Sequence, residues 1–159
     1  MASTVSAANL KVKITEEVIL DGKDQGDTTE LTISSISEIS KRILTITATE
    51  CVIGTFSAAA ASAGHYIAAD VRYIRFTNLD GTNFITLTFR NQDNDEAAIK
   101  LDAGQYFIWN GDNDNGMTAI FNATQDADSA SDTAFGSLTN IQADANTGSC
   151  DLEMFIAST

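Results

Sequence analysis

The sequence predicts an all-β fold: an antiparallel β-sandwich or jelly roll in a single domain, with little helix. Three observations predict it. Short runs in which apolar and polar residues alternate recur along the chain, the period of half-buried strands. Polar turns rich in Gly, Asn, Asp and Ser separate those runs, and the 159 residues contain no proline. Val71 to Trp109, VRYIRFTNLDGTNFITLTFRNQDNDEAAIKLDAGQYFIW, carries the clearest strands and the clearest turns together. The pattern amounts to roughly nine to eleven short strands, which favours a sandwich, jelly roll or barrel. A chain of this length buries a real core without staples. It shows no internal repeat, which argues against a propeller or β-helix.

Taken in order, residues 1 to 9 read as an extended N-terminal arm. Leu10, Val12 and Ile14 alternate with Lys11 and Lys13 as a first strand, which Val18 to Leu20 continue after a kink at Glu16-Glu17. Asp21 to Thr28 is a turn-rich loop, and Leu31 and Ile33 begin another strand. Ile36, Ile39 and Ile43 fall at helical spacing, but the β-branched and serine content disfavours a helix. Two short strands with a turn near Ser40 are expected, with a short helix as the alternative. Leu44, Ile46 and Ala48 alternate with Thr45 and Thr47. Cys51 to Phe56 is a short apolar strand. Ser57 to Gly64 reads equally as one turn of helix or a small-residue loop.

Val71 to Trp109 reads as an antiparallel meander at the centre of the fold. Asp80-Gly81 between two apolar-patterned runs is a type I′ hairpin signal. With those two residues as the loop, Phe76 faces Ile85 and Ile74 faces Leu87 on one side. Arg75 with Thr86 and Tyr73 with Thr88 lie on the wetter side. Asn91 to Glu96 and Asp102 to Gln105 are the next turns. Ala97, Ile99 and Leu101 share a face. In the strand that follows, Tyr106 and Ile108 share one face, and Phe107 and Trp109 the other. That strand is either covered on both sides, or covered on one and buried in an interface on the other. Tyr106, Phe107 and Trp109 are therefore the interface candidates. Met117 to Ala123 is a further strand, and residues 125 to 137, polar and aperiodic, are expected to be a mobile loop. Leu138 to Ala143 and Cys150 to Ile156 close the chain. In the latter, Cys150, Leu152, Met154 and Ile156 alternate with Asp151, Glu153 and Phe155.

The charge balance, 9 basic against 22 acidic residues and a net −13, repels phosphate backbones and argues against a nucleic-acid partner. No apolar run has membrane-spanning length, and the start of the chain lacks the pattern of a secretory signal, so synthesis in the cytoplasm is expected. Cys51 and Cys150 form no CxxC motif, and His65 alone does not complete a zinc site with them. They are expected to be buried free thiols, with a disulfide as the alternative. Asn110, Asp112 and Asp114 are oxygen donors spaced by two, as in a calcium loop. The EF-hand pattern fails, because Asn115 stands where Gly is needed and Phe121 where Glu is needed. A different calcium site there is weighed against a solvated turn. Asp93, Asp95 and Glu96 form another acidic turn. His65 beside Tyr66 reads as structural. There is no GxSxG, P-loop or dinucleotide fingerprint. No catalytic residue and no cofactor is assigned, and the protein is expected not to be an enzyme.

The run ADVRYIRFTNLDGTNFITLTF, followed by AIKLDAGQYFIW and IQADANTGSCDLEMFIAST, resembles small β-rich virion proteins of tailed phages, especially those of marine and freshwater bacteria. The likeness covers roughly Ile43 to the C-terminus and lies in the order of the pieces; residues 1 to about 42 have no counterpart. The resemblance implies a virion location and a structural role, with a head decoration or cement protein as the best fit and a tail or neck component also compatible. It further implies a homo-oligomer, a trimer by preference, in contact with the major capsid protein or other virion proteins. From the residues themselves, the alternative is a carbohydrate- or calcium-dependent adhesion module using Asn110 to Gly116 and an exposed Trp109.

Overall fold

In the computed structural model the described residues are 5–60, 62–110, 116–117 and 137–159. Among them lie thirteen strands and no helix: β1 (Ala8–Thr15), β2 (Ile19–Leu20), β3 (Lys23–Asp24), β4 (Thr28–Ile36), β5 (Glu38–Thr47), β6 (Cys51–Ser57), β7 (His65–Ile67), β8 (Val71–Asn78), β9 (Ile85–Asn91), β10 (Glu96–Leu101), β11 (Tyr106–Asn110), β12 (Leu138–Ala145) and β13 (Ser149–Ser158). The all-β expectation holds. Two sheets face each other, one in the order β10-β9-β12-β6-β7, the other β11-β8-β13-β5. Neighbours are antiparallel except β6 and β7, which run parallel over three residues.

The main core lies between these sheets. Ile74, Phe76, Leu152, Met154 and Ile156 enter it from one side, and Ile85, Leu87, Phe89, Ile141 and Ala143 from the other. A large apolar side chain buried this way contributes about 1.5–3 kcal/mol. β13 alternates as its sequence predicts: Cys150, Leu152, Met154 and Ile156 are buried, while Asp151, Glu153 and Phe155 point away from the main core.

The predicted meander is corrected. β8 and β9 do not pair; they belong to opposite sheets, joined by an arch over residues 79–84. Neither Asp80 nor Gly81 takes a positive φ. The Asp80 carboxylate instead accepts hydrogen bonds from the backbone of Thr82 and Asn83, at 2.7 and 2.6 Å. Below it the fully buried Asn78 side chain accepts from the Asp80 N–H and donates to the carbonyls of Asn83 and Leu101. Such local side-chain bonds compete with the hairpin ladder. Ile74, Phe76, Ile85 and Leu87 do share one environment, but they meet across the sandwich instead of along one sheet. Only β9–β10 of the meander is a hairpin, pairing Phe89 with Ala97 and Leu87 with Ile99. β11 then crosses back to pair with β8.

The type I′ turn lies elsewhere. Asp21 and Gly22 have φ of 52° and 75°, between the paired Leu20 and Lys23. This two-residue loop closes the β2–β3 hairpin at the far end of a ribbon formed by β1 and β4. Pairing of Leu10 with Ile33 and Val12 with Leu31 places their side chains on one ribbon face. β4 passes to β5 through Ser37 alone, whose N–H bonds the Ser158 carbonyl at 2.9 Å. The break expected near Ser40 falls three residues earlier, and Ser40 lies within β5.

Both cysteines are free thiols; Cys150 is buried as expected, but Cys51 is exposed. Burial and the nearby Asp80 carboxylate push the Cys150 thiol up. Ser57 to Gly64 shows bends and a turn, with no helix among its described residues. Met117 is buried and donates its N–H to Ala68 O at 2.7 Å. The rest of the strand expected to Ala123 lies outside the described residues, as does the loop expected at 125 to 137 apart from Ser137.

Candidate interaction surface

Alternation gives the β11-β8-β13-β5 sheet a second, outer face. Ile39, Lys41 and Ile43 of β5 stand there, with Glu153, Phe155 and Ala157 of β13, Tyr73 and Arg75 of β8, and Tyr106 and Ile108 of β11. Half of these are apolar, too many for a face left wholly to water. The β1–β4 ribbon covers part of it. Ile33 and Ile36 of the ribbon bury themselves with Tyr73 and Ala157, and Leu10, Val12, Ile108 and Phe155 pack around them. Tyr73 and Phe155 meet edge to face, ring centroids 6.0 Å apart. The ribbon is thus a third layer with a small core of its own.

Beyond that cluster the ribbon and the sheet part. They leave an open slot of about 470 Å³, with Leu10 to Thr15 on one wall and Tyr73, Arg75, Tyr106, Ile108 and Phe155 on the other. Lys11, Lys13 and Arg75 stand on these walls, a third of the nine basic residues of an otherwise acidic chain. Arg75 bonds Glu153 at 2.5 Å and Thr77 Oγ1 at 2.7 Å, and its guanidinium stands 6.0 Å from the Phe155 ring centroid. Lys41 reaches the other Glu153 oxygen at 3.0 Å. Hydrogen bonds from Lys41 and Arg75 hold the Glu153 carboxyl below the usual carboxylate range, against its partial burial. Lys11 pairs with Glu30 across the ribbon at 3.2 Å.

The far end of the ribbon carries apolar side chains into water. Val18, Ile19 and Leu20 are 49, 78 and 67% exposed, beside Glu16, Glu17, Asp21 and Asp24. No reading of the sequence singled out this tip. The signal was present: Asp21-Gly22 directly follows Val-Ile-Leu, a hairpin turn with an apolar strand leading into it.

The residues selected from the sequence divide. Tyr106 is 60% exposed at the slot. Phe107 and Trp109 point the other way, half-buried edge to face against Phe89 with centroids 5.7 and 5.6 Å away. The adhesion alternative required an exposed Trp109; its ring lies against the main core. Asn110 ends β11 and is exposed, while Asp112 and Asp114 lie outside the described residues. Among the described residues no three acidic, His or Cys groups are placed to hold a metal. His65 is exposed and lines a second groove, where Arg42 donates to the Ile53 carbonyl at 3.0 Å.

The surface offers apolar contact, a recess and three basic side chains, two of them ion-paired. The chain matches no family model, no curated protein and no solved structure.

Proposed function

We propose that this protein is a non-enzymatic structural component of a phage virion, a head decoration or cement protein that acts through its outer surfaces. One observation carries the reading: an apolar sheet face only partly covered by a ribbon, whose own far end exposes Val18, Ile19 and Leu20. Unpartnered apolar surface at two ends of one element fits a domain that works by contact with neighbours. The sequence pieces from Ile43 onward, whose order resembles that in small phage virion proteins, support the particle. A cement protein needs only modest individual contacts, because repetition over a capsid multiplies them. The net charge of −13 suits a surface turned away from packaged DNA.

Mass spectrometry of purified particles tests the reading. The expected result is this chain at a fixed ratio to the major capsid protein, with particles lacking it losing integrity at lower temperature. Particles without the chain, or glycan binding that EDTA abolishes, overturn it.

A further inference from the structure

The slot and the tip belong to one ribbon, yet a chain cannot use both on itself. The β1 wall of the slot runs to Thr15 and the tip begins at Val18 on the same ribbon, whose β1–β4 ladder keeps it extended rather than folded back on that wall. Another copy has no such constraint. We infer that the slot between the ribbon and the four-stranded sheet receives the β2–β3 tip of a second copy of this chain.

Shape and chemistry match in three respects. The tip offers three consecutive aliphatic side chains, all substantially exposed. The slot offers Leu10, Val12, Ile14, Ile108 and Phe155 to receive them, in a volume of the size that side chains or small ligands fill. The charges are opposed as well. Residues 16 to 27 carry Glu16, Glu17, Asp21, Asp24 and Asp27 against Lys23, whereas the slot walls carry Lys11 and Arg75, paired with Glu30 and Glu153, and Lys13, for which the described residues show no ion pair. Two copies at −13 repel over most orientations, so an acidic tip entering a basic recess selects one encounter geometry. The contact uses two different patches, so it closes as a reciprocal two-fold dimer where both tips seat at once, and otherwise builds a ring or a filament.

The inference deepens the reading above, because it names the partner of the same slot. Light scattering across a concentration series is the first test. The wild-type chain is expected to form oligomers, and the double substitution Ile19→Asp/Leu20→Asp to leave a monomer with an unchanged melting temperature. Lys13→Glu, an exposed slot-wall change, weakens assembly by about tenfold if one interfacial charge pair is reversed. Directed cross-linking is the second test. An Ile19→Cys chain and a Tyr106→Cys chain, both carrying Cys51→Ser, are mixed and oxidised. A mixed dimer is expected. Cross-links confined to the Ile19→Cys chain alone show tip-to-tip contact and overturn the inference. So does a wild-type monomer at every concentration, or an oligomer that ignores the tip substitution. A monomer that nonetheless decorates particles sinks this inference and leaves the virion reading standing. An oligomer built by tip and slot, with no chain in the particles, does the reverse.

Discussion

The chain contains two Asp-Gly pairs in similar local settings, each preceded by a leucine or by Asn-Leu and followed by polar residues. Asp21-Gly22 closes a two-residue hairpin with both φ positive. Asp80-Gly81 lies in an arch that carries the chain from one sheet to the other. The difference is made by what lies beneath. The glycine Cβ position is open at both pairs, so crowding does not separate them; at the first, local turn preference decides. At the second, the buried Asn78 amide binds the arch to Leu101 of the opposite sheet, and Asp80 caps two backbone N–H groups. A dipeptide reports the local preference; a buried polar side chain one turn away can redirect the chain.

The comparison can be broken most forcefully at Asn78. Asn78→Ala leaves the Leu101 and Asn83 carbonyls without their donor in a buried site, a loss on the order of 2–4 kcal/mol by chemical denaturation. A loss near zero would show that the arch forms without it. Gly22→Ala comes next: φ of 75° costs a side chain about 1 kcal/mol, with no steric clash to add. Its effect is confined to the ribbon, so hydrogen exchange at β2 and β3 speeds up while the sandwich melts as before.

A smaller effect concerns the face under the ribbon. Glu153 is held below the usual carboxylate range by Lys41 and Arg75, so its ionised form stabilises the fold. That contribution is complete above the ordinary carboxylate range and is lost as pH falls through the lowered value. Glu153→Gln should flatten the acid limb of a stability–pH profile; an unchanged slope would remove the carboxylate from the account. The smallest effect is Gly81→Ala. With no positive φ and open space around its Cβ position, it should be neutral or stabilising by up to about 1 kcal/mol. The opposite signs at Gly22 and Gly81 are the sharpest form of the comparison, read by hydrogen exchange at β2 and β3 for the first variant and by a thermal melt for the second.

The strands themselves were legible because side-chain period reports burial directly. β13 and β11 show their predicted faces, and the opposed pairs Tyr106/Ile108 and Phe107/Trp109 separate as the alternation requires. Pairing was less legible. Ile74 and Phe76 have the same inward period whether β9 lies beside them or across a core, so alternation alone does not distinguish a hairpin from an arch. The slot was hidden for a related reason. It forms between β1 and strands some sixty, a hundred and a hundred and forty residues later, and no local pattern records that approach. The Arg75–Glu153 pair is equally remote in sequence.

One edge has a practical consequence. β5 offers ten residues whose outer side pairs with nothing among the described residues, and it bears exposed Ile39 and Ile43. Bare edges template strand addition and are commonly guarded by charge. Here the guard is the strong negative field of the whole molecule, because Lys41 is paired with Glu153 and Arg42 is bonded to the Ile53 carbonyl. With a pI near 4.1, mild acidification abolishes that field while the edge stays intact. Turbidity and thioflavin fluorescence should therefore rise as solutions approach pH 4, and samples kept near neutrality should stay clear.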